Sequence, residues 1–347
     1  AQHALYTDPG FGYEHLVSVD PGLSRHGYGS AAAQTYLSQM ESRLRTLPGV
    51  RAVSLVQLPP LGHVISNWTT EIRDRKVTVY PNWAAPDFFQ AMGISLRLGR
   101  TFHPEEKHVV MVSESFARQQ WPGENPLGQT VGEGVNRDTV IGVVADAHIN
   151  ALNDDDALEQ YWAAQPENMP DMTVIIRSSG EPGSIGPAVR AIATTLDPSV
   201  FPEIRPIKAL YRENQKMIED VAGIVSLVGL IAVSLAAIGL IGLVAFVVTQ
   251  RTKEIAIRIA LGGRPAAVLS AVLQQFRWLL IIGSATGTVM AAFGSRLLRI
   301  VLYGVNNLDP ASFAAALGLL GLIAVLSMLI PAIRALRLNL AAILHYE

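Results

Sequence analysis

Three stretches of this chain carry no charged side chain at all: residues 221–250, 278–295 and 310–333. A bilayer's hydrocarbon core takes about 20 apolar residues of helix, so each stretch is long enough to span, the middle one only just. The first contains "VSLVGLIAVSLAAIGLIGLVAFVV", apolar around its whole circumference. That suits lipid and neighbouring helices and leaves no water-facing side. Three such runs within the 127 residues from 221 to 347 exceed what a soluble core accommodates. The sequence therefore predicts an all-α membrane domain over 221–347, with spans at 221–249, 278–296 and 310–333 and a tail at 334–347.

The formal net charge of −2 hides two unlike parts. Residues 221–347 hold nine Lys/Arg against three Asp/Glu, whereas residues 1–220 hold eighteen against twenty-six. Between the first two spans Arg251, Lys253, Arg258, Arg264 and Arg277 oppose only Glu254, and the tail carries Arg334 and Arg337. An excess of Lys and Arg in short loops marks the cytoplasmic side. That places the acidic first part outside, where the lack of cysteine is unremarkable. Three spans with this orientation require a further apolar segment ahead of Ala1, and so at least four in all.

Residues 1–206 predict an α+β extracytoplasmic domain. "AAAQTYLSQMESRLRTL" spaces Tyr36, Leu37, Met40, Leu44 and Leu47 as an amphipathic helix, ended by Pro48-Gly49. "VRAVSLVQL", "HVVMV", "DTVIGVVADA" and "MTVIIRSS" predict strands. Ser113 caps a helix over "SESFARQQW", and Ser184 is a candidate cap for "SIGPAVRAIATTLD". "NDDDALEQYWAAQPENMPDM" predicts an acidic surface loop without the spacing of a calcium-binding loop. Residues 207–220, "IKALYRENQKMIED", predict a charged stalk helix running without a break into the first span.

After that span, "RTKEIAIRIALGG" predicts a short amphipathic helix over 250–263. Arg251, Glu254 and Arg258 share one face, and Glu254 precedes Arg258 by four residues, an ion-pair orientation worth about 0.3–0.5 kcal/mol. Ile255 and Ile259, with Ala256 and Ala260, line another face, and Lys253 and Leu261 complete the element. Gly262 and Gly263 end it, and Pro265 suits the first turn of the next helix. Anchoring to anionic lipid and docking to a protein both fit this pattern. In the second span Gly283, Gly287 and Ala291 form a small-residue face that permits close helix packing.

Catalytic signatures are missing from the sequence. It has no G-x-x-x-x-G-K-[ST] loop, no H-E-x-x-H, and no ligand-like spacing among its eight histidines. The three uncharged stretches at 221–250, 278–295 and 310–333 contain no ionisable residue, which argues against an ion-coupled carrier. No cofactor, metal or nucleic-acid partner is expected.

"TKEIAIRIALGG" resembles the cytoplasmic element of FtsX-like permease domains, with Ala256 where family members often carry Gly. "DPASF" followed by "LIPAIRALRLNLAAIL" is similar to that family's last span and tail. "LPGV", "FFQAMGISLRLGRTF", "VVMVSESFARQQWPGENPLGQTV" and "VIGVVADA" resemble the MacB-like periplasmic core domain, closest to acidobacterial-type duplicated permeases. The resemblance implies a permease of an ABC transporter in the bacterial inner membrane, dimeric, and working with a cytoplasmic ABC ATPase that binds the ATP. Arg251–Gly263 would be the coupling helix on that ATPase, and a periplasmic adaptor is a further implied partner. The cargo of such a mechanotransmitting exporter would be a small molecule, peptide or lipoprotein. The rival function is a non-transporting scaffold that regulates a cell-wall hydrolase.

Overall fold

A computed structural model describes residues 9–61, 67–73, 75–132, 137–147, 149, 158–250, 281–291 and 293, together with 254, 257, 274, 278, 318, 321–323, 325 and 326. The chain divides into two compact units, Ala1–Glu219 and Asp220–Glu347.

The first unit is built on one 11-stranded sheet. Strands β1 (Leu16–Asp20), β2 (Val50–Val56), β10 (Thr173–Ser178) and β11 (Glu203–Pro206) form its antiparallel half, in the order β11-β1-β10-β2. Alternation along these strands serves two faces. β1 sends Leu16 to one core and Val17 and Val19 to the other, and β10 divides Ile175 from Val174 and Ile176 in the same way. Helices α1 (Ser30–Arg45) and α4 (Gly186–Leu196) cover the second of these faces. α1 buries Ala33, Tyr36, Leu37, Met40 and Leu44, the stripe that its sequence period predicts.

The other half is mixed. β4 (Arg75–Ala84) runs parallel to β9 (Glu159–Ala163), which lies antiparallel to β6 (Val109–Ser113). β6 is parallel to β8 (Asp138–Val144), and β5 (Leu96–Gly99) closes the edge beside β8. β3 (Trp68–Ile72) pairs with β4, and β7 (Thr130–Val131) with β8. α2 (Phe88–Met92) sends Phe88, Phe89 and Met92 into the core around Leu16, and α3 (Glu114–Gln120) packs Phe116 against Val110, Val112 and Val140. Ser113 caps α3 as expected, its Oγ accepting from the Phe116 N–H at 3.2 Å.

Two expectations are corrected. The acidic stretch predicted to be a surface loop contains β9, an interior strand whose Glu159 and Gln160 are 2% and 1% exposed. Its polar residues masked it, because burial here comes from β4 and β6 on either side and not from local hydrophobicity. Ser184 is not the cap of α4. It lies in a 3-10 turn, Pro182–Ile185, where its hydroxyl donates to the Glu181 carbonyl at 2.7 Å, and Ile185 occupies the cap position.

Where β5 meets β8, Gly99 stands opposite Gly142. Gly99 has φ +77°, and a Cβ there would lie 2.1 Å from the Ile141 carbonyl oxygen; one on Gly142 would lie 2.4 Å from that of Arg100.

Two surface carboxylates make the first unit acid-sensitive. The Arg100 guanidinium, with the His103 N–H, holds Glu106 down from 4.5 to about 2. The Tyr28 hydroxyl, with the Ser199 hydroxyl and N–H, holds Asp197 down from 3.8 to about 2. Both folded-state values lie below the unfolded ones, so their stabilisation is present above those unfolded values and is lost as pH falls towards 2. The melting temperature of this unit is expected to hold from about pH 7 to 5 and to fall below about pH 4.5. Circular dichroism melts across that range check this, and Glu106→Gln with Asp197→Asn should flatten the acid limb.

In the second unit the described residues are helical. Helix α5 (Ile207–Gln250) continues into it from the first unit, and Ile281–Ala291 forms a shorter apolar helix. Among the described residues one helix, Ile207–Val247, is long and apolar enough to cross a membrane. The remainder of the predicted second and third spans lies largely outside the described residues.

Candidate functional site: stalk root and coupling element

α5 begins directly after β11, where Pro206 ends the strand and its missing N–H costs a following helix nothing. With no Gly or Pro from 207 to 222, nothing in the sequence interrupts the junction between the charged segment and the uncharged one. The 44 residues of α5 make a rod of about 66 Å, against roughly 30 Å of hydrocarbon.

The first turn of this rod is part of the core of the first unit. Ile207, Leu210 and Tyr211 are 0%, 5% and 8% exposed and join the cluster that holds Phe88, Phe89 and Tyr161. They recur at i, i+3 and i+4, one helical face, and each side chain so buried is worth about 2 kcal/mol of transfer free energy. The Tyr211 ring stacks on Tyr13, centroids 4.4 Å apart and planes 20° off parallel. Lys208 Nζ reaches Glu14 Oε1 at 3.7 Å, an exposed pair that adds direction more than energy. The Asn214 side-chain amide donates to the Leu210 carbonyl at 3.0 Å. Arg212, Glu213 and Lys216 are exposed, so α5 leaves the core within its second turn.

Of the predicted coupling residues, Glu254 is helical and exposed, as is its neighbour Ile257. Arg251, Lys253, Ile255, Arg258, Ile259, Leu261, Gly262 and Gly263 lie outside the described residues. Gly283, Gly287 and Ala291 fall on the described helix and are exposed, and a Cβ on Gly283 or Gly287 would meet nothing within 4 Å. Among the described residues no group of three or more His, Asp or Glu could hold a metal ion. The sequence reading of 207–220 as a charged stalk helix did not identify this buried root, although "IKALY" carries its spacing.

Comparison with known proteins agrees with this division. Residues 6–200 match the MacB-like periplasmic core domain and residues 226–340 the FtsX-like permease C-terminal domain. The chain is 25% identical over 316 residues to the macrolide export ATP-binding/permease protein MacB of Agrobacterium fabrum, covering 86% of this chain and 48% of that protein. It is 24% identical over 281 residues to the probable syringafactin export ATP-binding/permease protein SyfD of Pseudomonas syringae pv. tomato, covering 77% and 42%. The chain thus spans about half the length of these relatives or less. The crystal structure of the periplasmic region of MacB from Actinobacillus actinomycetemcomitans superimposes with a TM-score of 0.39 at 15% identity, over 61% of this chain and 97% of that one. By these matches the chain belongs to the MacB-like periplasmic core domain family, joined here to an FtsX-like permease C-terminal domain.

Proposed function

We propose that this chain is the permease part of an ABC-type exporter, transmitting the work of ATP hydrolysis from the cytoplasm to an extracytoplasmic unit. The observation that carries this reading is the unbroken helix α5, buried at Ile207, Leu210 and Tyr211 and running on through an uncharged segment to Gln250. A helix rooted in a core moves that core when it is displaced, because packed interiors transmit strain. The chain sits in the inner membrane with three spans, its first unit outside and its tail inside, in keeping with the basic loop at 251–277. Two permease copies or halves pair, and a periplasmic adaptor completes the path outward. The relatives' names combine ATP binding with permease function. This sequence has no phosphate loop, so the ATP site belongs to an ABC ATPase, separate or fused. That ATPase docks on Arg251, Lys253, Glu254, Ile255, Arg258, Ile259 and Leu261, with Gly262 and Gly263 as the hinge. The cargo is a small molecule, peptide or lipoprotein.

Arg258→Glu reverses a charge on the proposed docking face and removes the residue that the i,i+4 spacing offers Glu254 as a partner. Association with the ATPase is expected to weaken about tenfold, measured by co-purification in detergent and by stimulation of ATP hydrolysis. Unchanged association after deletion of residues 254–263 would show that the ATPase docks elsewhere.

A further inference from the structure

The first unit holds a cavity of about 1180 Å³ over the face of β9, lined by Trp68, Trp83, Trp162, Gln160 and Gln165. Trp83 and Trp162 stand opposite each other in the parallel β4–β9 register and stack at 5.6 Å and 27°. Trp68 meets both edge-on, at 5.6 and 5.3 Å, and is itself 40% exposed. The Trp162 indole N–H donates to Asp138 Oδ2 at 2.8 Å, which fixes its ring. Gln160 shares the cavity face of β9 with Trp162, because the intervening Tyr161 belongs to the opposite core. It is 1% exposed, and neither its Oε1 nor its Nε2 has a hydrogen-bond partner. Gln165 Oε1 is also unpartnered, although its Nε2 donates to the Ala163 carbonyl at 3.1 Å. Buried amides are nearly always paired, and an unpaired one on the wall of a roomy cavity points to a ligand that completes it.

We propose that this cavity binds a saccharide, an oligosaccharide longer than one ring. The unfilled groups are a donor and two acceptors, which hydroxyls satisfy because each both donates and accepts. The indole faces, which carry the partial negative potential of the ring quadrupole, attract the polarised C–H face of a pyranose beside them. Other ligand chemistries fit less well. The three indoles touch one another, so no space remains between them for an ammonium group, as a cation-binding aromatic box requires. Glu71, Glu106, Asp138 and Glu167 outnumber Lys76 and Lys107 on the walls, which disfavours an anion. β9 is paired on both sides, so Gln160 faces the ligand from a sheet face, where an extended peptide cannot add as a strand. The volume exceeds what a single sugar ring fills and lies just above the usual range for small-ligand sites.

The test titrates the full chain in lipid nanodiscs with chitotetraose and, separately, maltotetraose, following heat by calorimetry and indole fluorescence. No ATP is present, so failure here leaves the coupling reading untouched. Saturable binding of at least one tetrasaccharide is expected. Trp68→Ala, at an exposed position, and Gln160→Met should each weaken it at least about tenfold. Gln160→Met should also leave the melting temperature unchanged or higher, because an apolar side chain of similar size removes an unpaired buried amide. A purely structural Gln160 would instead lower it. The proposal is overturned if neither sugar gives heat or fluorescence change, if binding survives both substitutions, or if only an uncharged octapeptide or tetramethylammonium saturates the site.

Discussion

On the proposed coupling, Lys216→Pro is expected to leave the N-terminal unit folded while cutting the proposed nucleotide-driven movement, and the proposed transport with it, at least about tenfold. Lys216 is exposed and lies beyond the buried root at Ile207, Leu210 and Tyr211 but before the uncharged segment. Proline there removes the N–H that bonds to the carbonyl of residue 212 and sets its ring against that same carbonyl. A helix interior loses about 3 kcal/mol or more by this, and the axis kinks. The loss falls on the continuity of α5 and not on the core, so the melting temperature of the first unit should barely change. Spin-label distances between the first units of the proposed permease pair, with and without ATP in its complex with the proposed ATPase, read the movement directly. Lys216→Ala, which keeps the helix, should behave as the parent protein does. Full coupling in Lys216→Pro would mean that force reaches the outer unit by a route other than α5.

Gly99→Val is expected to destabilise the first unit by about 3–5 kcal/mol and to lower its melting temperature by about 10 °C. Two costs add. The φ of +77° lies in the left-handed region, which a β-branched residue adopts only under strain. The new Cβ would also stand 2.1 Å from the Ile141 carbonyl oxygen and 2.8 Å from Leu127 Cδ2. Backbone cannot yield there without parting β5 from β8, which pair at Gly99–Gly142. Gly180→Ala is the control. Its φ is ordinary and nothing lies within 4 Å, so the change should stay within about 0.5 kcal/mol. Equal melting curves for the two variants would show that β5 is not held as described.

Local signals carried much of the first unit's structure into the sequence. The stripe on α1, the Ser113 cap and the apolar runs of β2, β6, β8 and β10 are each decided by residues within a few positions of one another. β9 was hidden because Glu159 and Gln160 are polar, and only strands about 80 and 50 residues earlier in the chain, β4 and β6, make that stretch an interior one. The three indoles of the cavity were invisible for the same reason, since Trp68, Trp83 and Trp162 come together through strand pairing and no local period links them. In the candidate site the balance reverses. The basic element predicted at 250–263 is plain in the sequence through its charge pattern and its two glycines, yet beyond Gln250, the end of α5, only Glu254 and Ile257 of it are described.

The path of the chain at the sheet's edge has a mechanical meaning. Val17 of β1 lies opposite Pro206 of β11, Tyr13 rests on Tyr211, and Glu14 reaches Lys208. The first strand therefore begins beside the point where the last one ends, about 5 Å from strand to strand. Because the two strands share one ladder, a pull on Pro206 also loads Val17 and the rest of β1, as a tug on one tooth of a zip loads its mate.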